Sequence, residues 1–380
     1  MHVVVIGSGV FGIWTAHHLL ARGATVTLVE AYGPGHSRSS SGDETRIVRC
    51  GYGPDGIYSE LARRSLEQWR QLSTEAGHVG EPLWHPSGVL WMAAGTDAYT
   101  AATRDTLTAL GMPPDVLDPA DVHDRFPQFN TDGIQVMLLE RGCGVVAARR
   151  AVRALAARLE QSGVRMVAGR VEAPETTVVE ALRTTGGGGI TRDRFVFACG
   201  AWLPGLLPGA LGSRIRPTRQ VVAYFGLPAG DSRYHAARMP AWIDFPAGIY
   251  GTPDIDGRGI KVGIDEHGVP IDVDTADRVP DAQSLDRART WLAHRVPALA
   301  GAPVVETRVC AYENTDTGDF ILDRHPGHEN VWIVGGGSGH GFKHGPAVGE
   351  LAAQMVLDEV QPDMRFALVS RTSDARRAVY

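Results

Sequence analysis

The sequence predicts an α/β protein in which a doubly wound, dinucleotide-binding domain is joined to a second domain built on an antiparallel sheet. Three observations predict it. The chain opens with a strand, a glycine-rich turn, a helix and a second strand ending in an acid, the order of a dinucleotide-binding βαβ unit. Residues 219–264 alternate in strand-like patterns with no helical period between them. Near the end, a buried strand pattern at 330–334 again runs into a glycine-rich turn and then a helix.

Val3-Val4-Val5-Ile6 is a short β-branched apolar run, the pattern of a parallel strand buried on both faces. Gly7-Ser8-Gly9-Val10-Phe11-Gly12 follows as G-x-G-x-x-G. Gly7 permits the tight turn, Gly9 lets the backbone approach a pyrophosphate, and Gly12 lets helix and strand pack closely. The N–H groups at the helix start, around Val10 and Phe11, then hold the phosphates. A helix is predicted over 13–22, with Gly23 as its left-handed cap. Residues 25–29 read as the second strand. Glu30 ends it about 20 residues past the glycines, where a carboxylate accepts from ribose hydroxyls.

Residues 32–53 form a loop rich in Gly, Ser and Arg. Its composition suits a solvated linker, but it leaves the carboxyl end of a strand in a doubly wound sheet, where ligands bind. A helix follows over 58–75, with Leu61, Leu66 and Trp69 on its apolar side. From about residue 82 the pattern changes to a strand at 88–92, helices at 97–110 and 118–126, and a strand at 134–139. The helix predicted over 147–161 carries Arg149, Arg150, Arg153 and Arg158, read as a solvated face. Strands at 164–171 and 195–198 return to the first sheet; between them Gly186-Gly187-Gly188-Gly189 reads as a hairpin tip, with no helix after it to bind phosphate. Residues 219–225, 241–245, 248–250 and 259–264 read as strands of the second domain, and 285–295 as a helix. From 306 the chain is expected back in the first domain, with a final helix over 346–360. The division is 1–81, 146–216 and 306–380 in the dinucleotide-binding domain, and 82–145 and 217–305 in the second.

A chain of 380 residues exceeds one ordinary core, which agrees with two domains. Its 43% hydrophobic and 21% charged residues are normal for a soluble globular protein. A net charge of −6 argues against nucleic acid or an anionic membrane as the main partner. No run of 18 apolar residues occurs, so no membrane-spanning helix is expected. Cys50, Cys143, Cys199 and Cys310 are scattered without C-x-x-C spacing, a pattern unlike a disulfide framework or a zinc site. With a strand starting at residue 2 or 3 there is no room for a signal peptide, and the expectation is a cytoplasmic protein.

Three further stretches carry a resemblance. They are residues 37–52, the run Cys310-Ala311-Tyr312-Glu313-Asn314-Thr315 with its continuation to Asp323, and Gly335-Gly336-Gly337-Ser338-Gly339-His340-Gly341-Phe342-Lys343. With the N-terminal fingerprint they resemble the monomeric sarcosine oxidase and N-methyltryptophan oxidase family of flavoprotein amine oxidases, in order and spacing along essentially the whole chain. Residues 197–202 and 217–222 also resemble family segments. The resemblance implies FAD, bonded through its 8α-methyl to the cysteine in the place of Cys310. Besides the fingerprint residues, it implies that Ser39, Ser40, Thr45 and Arg46 from the arginine loop, and Gly337, Gly339, Gly341 and Lys343 from the late glycine turn, contact the cofactor.

Arg49 and Lys343 resemble the family pair that holds a substrate carboxylate, which a guanidinium fork and an ammonium suit. Lys261, in Gly259-Ile260-Lys261-Val262-Gly263, aligns with the lysine over the flavin that promotes reaction with oxygen. Tyr250 and Tyr312 match tyrosines that line the pocket. Cationic neighbours lower a cysteine's pKa, and Arg46 and Arg49 are the candidates beside Cys310. Two departures stand out. Where the family has a catalytic-site histidine, Asp265 stands here, followed by Glu266 and His267; either His267 takes the role by a two-residue shift, or a carboxylate faces a different amine. Ser41 stands about where relatives carry histidine, and Asp43-Glu44 lengthens the loop by one residue. His340 and His344 are four apart, but on a glycine-rich loop with no third ligand, so no metal is expected.

The function implied is an FAD-dependent oxidase of a secondary or cyclic amino acid or related amine. Hydride passes to flavin N5, an imine forms, and O2 returns the flavin to its oxidised state as H2O2. A monomer acting on a small amine is expected. Three alternatives stand beside this: a flavin dehydrogenase serving an electron carrier, a nicotinamide-dependent enzyme, and a catalytically silent flavin-binding scaffold.

Overall fold

The computed structural model describes residues 1–76, 82–95, 97–185, 188–361 and 363–368. A six-stranded sheet has the order Ile321–Arg324, Val331–Gly335, Arg194–Phe197, His2–Ile6, Thr25–Glu30, Arg165–Ala168. Its pairings are parallel except at the Ile321–Arg324 edge, which is antiparallel. Side chains of His2–Ile6 alternate between two cores. Val3 and Val5 pack with Ile13, Trp14 and Leu19 on one face, and Val4 and Ile6 with Phe195, Phe197 and Leu203 on the other. The sheet is therefore covered on both sides, as the apolar run predicts.

The helix Val10–Ala21 lies against the helix Gly345–Val356. Two glycines permit the approach: a Cβ on Gly349 would lie 2.5 Å from the backbone of Trp14, and one on Gly345 would lie 2.4 Å from the Val10 side chain. The first helix starts three residues earlier than its apolar period indicates, because Gly9 itself is the N-cap. Gly23 is left-handed at φ +82°, as predicted.

The second layer is an eight-stranded sheet. Its order is Val304–Thr315, Ile215–Phe225, Ile260–Ile264, Ile249–Thr252, Ala241–Asp244, Val89–Ala93, Val136–Glu140, Asp115–Leu117. It is antiparallel apart from one pairing, Ala241–Asp244 with Val89–Ala93, which is parallel. Phe129, Trp242 and Trp291 fill the core beneath it. A three-stranded sheet of Thr45–Val48, Gly144–Ala147 and Trp84–His85 lies between the two layers in sequence; the arginine loop, read as irregular, thus ends in a strand.

Two further expectations change. Residues 306–315 do not return to the first sheet. They continue Val304–Thr315, which pairs with Ile215–Phe225 along its length, so the return comes at Ile321–Arg324. A period-two pattern shows that a segment is a strand but not which strand it will pair with. The arginines of the helix Ala148–Gln161 are not simply solvated: Arg149 donates to the Gly42 carbonyl and pairs with Glu44 at 3.3 Å, Arg150 pairs with Asp256 at 3.0 Å, and Arg158 pairs with Glu75. Arg149 thereby ties down the arginine loop. Of the four-glycine run, Gly188 and Gly189 open the second strand of a hairpin with Ala181–Thr184; Gly186 and Gly187 lie outside the described residues. No helix among the described residues is long and apolar enough to cross a membrane.

Candidate active site

The site begins at the first glycine turn. Gly7 is held at φ +99°, and a Cβ there would lie 2.4 Å from the Ala198 carbonyl oxygen. A Cβ on Gly12 would lie 1.9 Å from the Gly7 carbonyl oxygen, so only glycine allows this helix to stand so close to its strand. The Val10 amide donates to Ser41 Oγ at 3.0 Å, and Gly9 gives no side-chain cap, which leaves the next helix amides facing outward from the N-terminus. Glu30 accepts from the Ser8 amide at 2.7 Å, the Ser8 hydroxyl at 2.8 Å and the Tyr32 amide at 2.9 Å.

A trough runs from here in three stretches that share walls. The first, about 890 Å³, is lined by Gly7, Gly9, Glu30, Ser39, Ser40 and Glu313 among others. The second, about 470 Å³, is lined by Val10, Phe11, Arg46, Cys310, Glu313, Gly337, Gly339 and Gly341. The third, about 730 Å³, gathers Asp43, Arg46, Arg49, Tyr250, Asp265, Cys310, Tyr312 and Lys343. Residues from the arginine loop, the eight-stranded sheet and the late glycine turn thus meet in one chamber. Gly339, at φ +78°, needs to be glycine because a Cβ would lie 2.6 Å from the Tyr312 ring.

Cys310 is mid-strand, opposite Gln220. It is buried and stands in the wall between the second and third stretches. Arg46 is the guanidinium that hydrogen bonds to it. Of the two cations expected to lower its pKa, Arg46 does so, with Lys261 rather than Arg49 beside it, but the net shift is upward. Burial and the Asp43 charge push the thiol up, and Arg46 and Lys261 only offset part of that.

Lys261 is fully buried, with Nζ 2.5 Å from Asp43 Oδ2 and 3.0 Å from the Thr45 carbonyl oxygen. Asp43 also accepts from Arg46 and, at 2.9 Å, from the Tyr224 hydroxyl. Burial opposes charge on Asp43, yet Lys261 and Arg46 outweigh it and hold the carboxyl well below the usual carboxylate range. Burial, helped by the Arg46 charge, pulls Lys261 below the usual lysine range, and the ionised Asp43 opposes this. The lysine therefore approaches the chamber through Asp43 and is not itself a lining residue. Thr45 lies behind the wall too, within 3.1 Å of Thr252 Oγ1.

Arg49 is buried, donates to the Gly51 carbonyl and lies 4.6 Å and 4.8 Å from the ring centres of Tyr52 and Trp91. Lys343 is buried rather than a surface lysine, and donates to the Tyr52 hydroxyl at 2.8 Å and the His340 carbonyl at 3.1 Å. Burial and the Arg49 charge hold it well below the usual lysine range. Asp265 faces these cations. Burial pushes its carboxyl up to about 6, against Arg49, Lys343 and a hydrogen bond with Tyr312, which also bonds to Tyr250. His267 is exposed and lines none of the three stretches, whereas Asp265 lines the third.

Several participants carry no local signal in the sequence. Tyr52 bonds with His344 Nε2 at 2.7 Å and His340 Nδ1 at 3.2 Å, so the two histidines buttress the tyrosine that holds Lys343. Glu140 accepts from the Cys50 amide at 2.7 Å and Trp91 Nε1 at 2.7 Å, fixing the backbone beside Arg49. Cys143 lies 3.8 Å from Cys50, sulfur to sulfur, and donates to Glu140 at 3.1 Å; two of the four scattered cysteines are neighbours in space.

The chain matches the family described as FAD dependent oxidoreductase over residues 2–355. It is 32% identical over 367 residues to the monomeric sarcosine oxidase of Bacillus sp. (strain B-0618), covering 93% of this chain and 92% of that one. It is 27% identical over 367 residues to the N-methyl-L-tryptophan oxidase of Salmonella arizonae, covering 94% and 95%. Among solved structures it is similar to a modified fructosyl peptide oxidase from Aspergillus nidulans, with TM-score 0.87, 18% identity and coverage of 100% and 96%. The L-proline dehydrogenase from P. horikoshii gives a TM-score of 0.83 at 23% identity, covering 95% and 94%.

Proposed function

The chain belongs to the family of FAD dependent oxidoreductases and is a sarcosine oxidase-like enzyme; from that premise we propose that it oxidises a secondary or cyclic amino acid whose carboxylate sits between Arg49 and Lys343. The observation that carries this reading is the convergence of Arg49, Lys343 and Asp265 on a chamber that has Cys310 in its wall. FAD fits the trough: the glycine turn and helix amides suit the diphosphate, Glu30 the ribose, and Cys310 stands where the ring would end, beside the amine chamber. Bound FAD would take a hydride from the carbon next to the substrate nitrogen, leaving an imine, and would pass the electrons to O2 to give H2O2.

The chain's own residues bind and orient. Arg49 is stacked and cannot lose its charge, so it presents a fixed fork to a carboxylate. Lys343 spends two donors on Tyr52 and the His340 carbonyl, which leaves one for the substrate. A bound carboxylate would restore the charge that burial disfavours. Replacing Lys343 with Met should weaken binding of acetate or N-methylglycine by about 1.5–3 kcal/mol, the range for a charge-assisted bond. Titration against the flavin spectrum measures it, and unchanged affinity removes Lys343 from the site.

Asp265 accepts from the substrate ammonium, opposite the carboxylate clamp. Because its carboxyl is pushed up to about 6, it is neutral below that pH and ionised above it. Binding of a cationic amine should therefore strengthen as pH rises through about 6. Asp265→Asn should remove that rising limb from the kcat/KM profile while leaving acetate binding in place. A limb that persists in the variant assigns it to another group.

A second reading, a dehydrogenase serving an electron carrier, is favoured by the pairing of Lys261 with Asp43, which offsets the charge available to oxygen. Steady peroxide formation in air separates the two. The reading is completed by a monomer working in the cytoplasm.

A further inference from the structure

One buried acid on the trough has no role in the reading above. Glu313 lies three residues past Cys310 on Val304–Thr315, opposite Pro217, with 8% of its surface exposed. It accepts from the Gly336 and Gly337 backbone N–H groups. Its Oε2 is buried and has no partner among the described residues. No cation pairs with it among those residues, and burial pushes its carboxyl up to about 7. An unsatisfied buried oxygen costs a folded chain about 1–3 kcal/mol, so such an atom calls for a missing donor.

The surroundings describe that donor. Glycine backbone surrounds the carboxylate: Cβ atoms placed on Gly200 and Gly335 would lie 3.7 Å and 3.6 Å from Oε2, and one on Gly337 would lie 2.9 Å from Oε1. Any side chain at Gly337 would press on it. Glu313 lines both the first stretch of the trough, which holds the glycine turn, and the second, which holds Cys310. The part of FAD between its diphosphate and its ring is the ribityl chain, a row of hydroxyl donors. A carboxylate accepts from hydroxyls and repels a diphosphate.

We propose that Glu313 is a cofactor-positioning residue whose Oε2 accepts from a ribityl hydroxyl of FAD. It fastens the middle of the cofactor from the strand that also carries Cys310. Strand, sulfur and carboxylate then form one rigid unit that sets where the ring lies in the chamber. The inference rests on FAD binding alone and stands or falls independently of which amine is oxidised.

The test uses the full chain with Cys310→Ser, so that FAD exchanges, and measures dissociation constants for FAD and for ADP, which carries the diphosphate and adenosine without the ribityl chain. Glu313→Ala should weaken FAD by about 10- to 100-fold, the loss of one bond to a charged acceptor, with ADP affinity unchanged. Glu313→Gln fills the same space and should lose affinity for FAD but not ADP; it carries the test if the Ala variant does not fold. Unchanged FAD affinity in a folded variant overturns the proposal. Equal losses for FAD and ADP overturn it too, by moving the carboxyl to the diphosphate as a protonated donor.

Discussion

Replacing Lys261 with Met should slow reoxidation of the reduced flavin in air by about a hundredfold, near 2.7 kcal/mol of barrier, while anaerobic reduction by substrate changes much less. The first electron passed to oxygen creates an anion beside the ring. A fixed positive charge stabilises that anion more than it stabilises neutral oxygen, and does so most in a site that excludes water. The structure adds a condition. Two cations, Lys261 and Arg46, share one carboxylate, Asp43, so the cluster keeps one net positive charge. Removing Lys261 leaves Asp43 neutralised by Arg46 and the cluster without charge. Breaking a buried pair also costs stability, of order 3–5 kcal/mol, so reoxidation is compared by stopped flow on variant protein shown to be folded. Wild-type-like reoxidation in that protein takes the oxygen role away from Lys261. Slow reoxidation by the wild type itself replaces the oxidase reading with the dehydrogenase one.

Acid precipitation should carry all the flavin into the pellet with the wild-type protein and leave all of it in the supernatant after Cys310→Ser. The sulfur is held on a strand paired along its length, between two stretches of the trough, so its place relative to the ring is set before the cofactor arrives. Bond formation needs the thiolate. Since burial pushes the Cys310 thiol up, deprotonation is the difficult step, and attachment to apoprotein should speed up as pH rises. Flavin found entirely in the supernatant of the wild type disproves the covalent bond and leaves FAD binding intact. An attachment rate that ignores pH would mean that Arg46 already holds the thiolate once the cofactor is bound.

By itself the sequence determined the local features. The fingerprint from Gly7 to Gly12, the acid at Glu30 and most of the helices were legible because each is written in a short run with its own period or spacing, whereas Arg49, Lys261, Cys310 and Lys343 were singled out by the family resemblance of the stretches that carry them. A helix predicted over 97–110 is found as Ala98–Ala109 with Asp97 as its cap, since a cap and a 3.6-residue period are local facts. The tertiary structure decided everything that depends on which distant segments meet. Asp43 and Lys261 are 218 residues apart, Tyr52 and Lys343 are 291 apart, and Cys50 and Cys143 are 93 apart. Nothing in either member of such a pair names the other. The segment from 306 was expected in the first domain, and the placement of Val304–Thr315 in the eight-stranded sheet follows from its pairing with Ile215–Phe225. Asp265 lines the chamber while His267, two residues on, is exposed, a difference that the sequence left open. Burial itself, which moves Asp265, Lys343 and Cys310 away from their ordinary titration, comes from the assembled layers and not from any residue's neighbours in the chain.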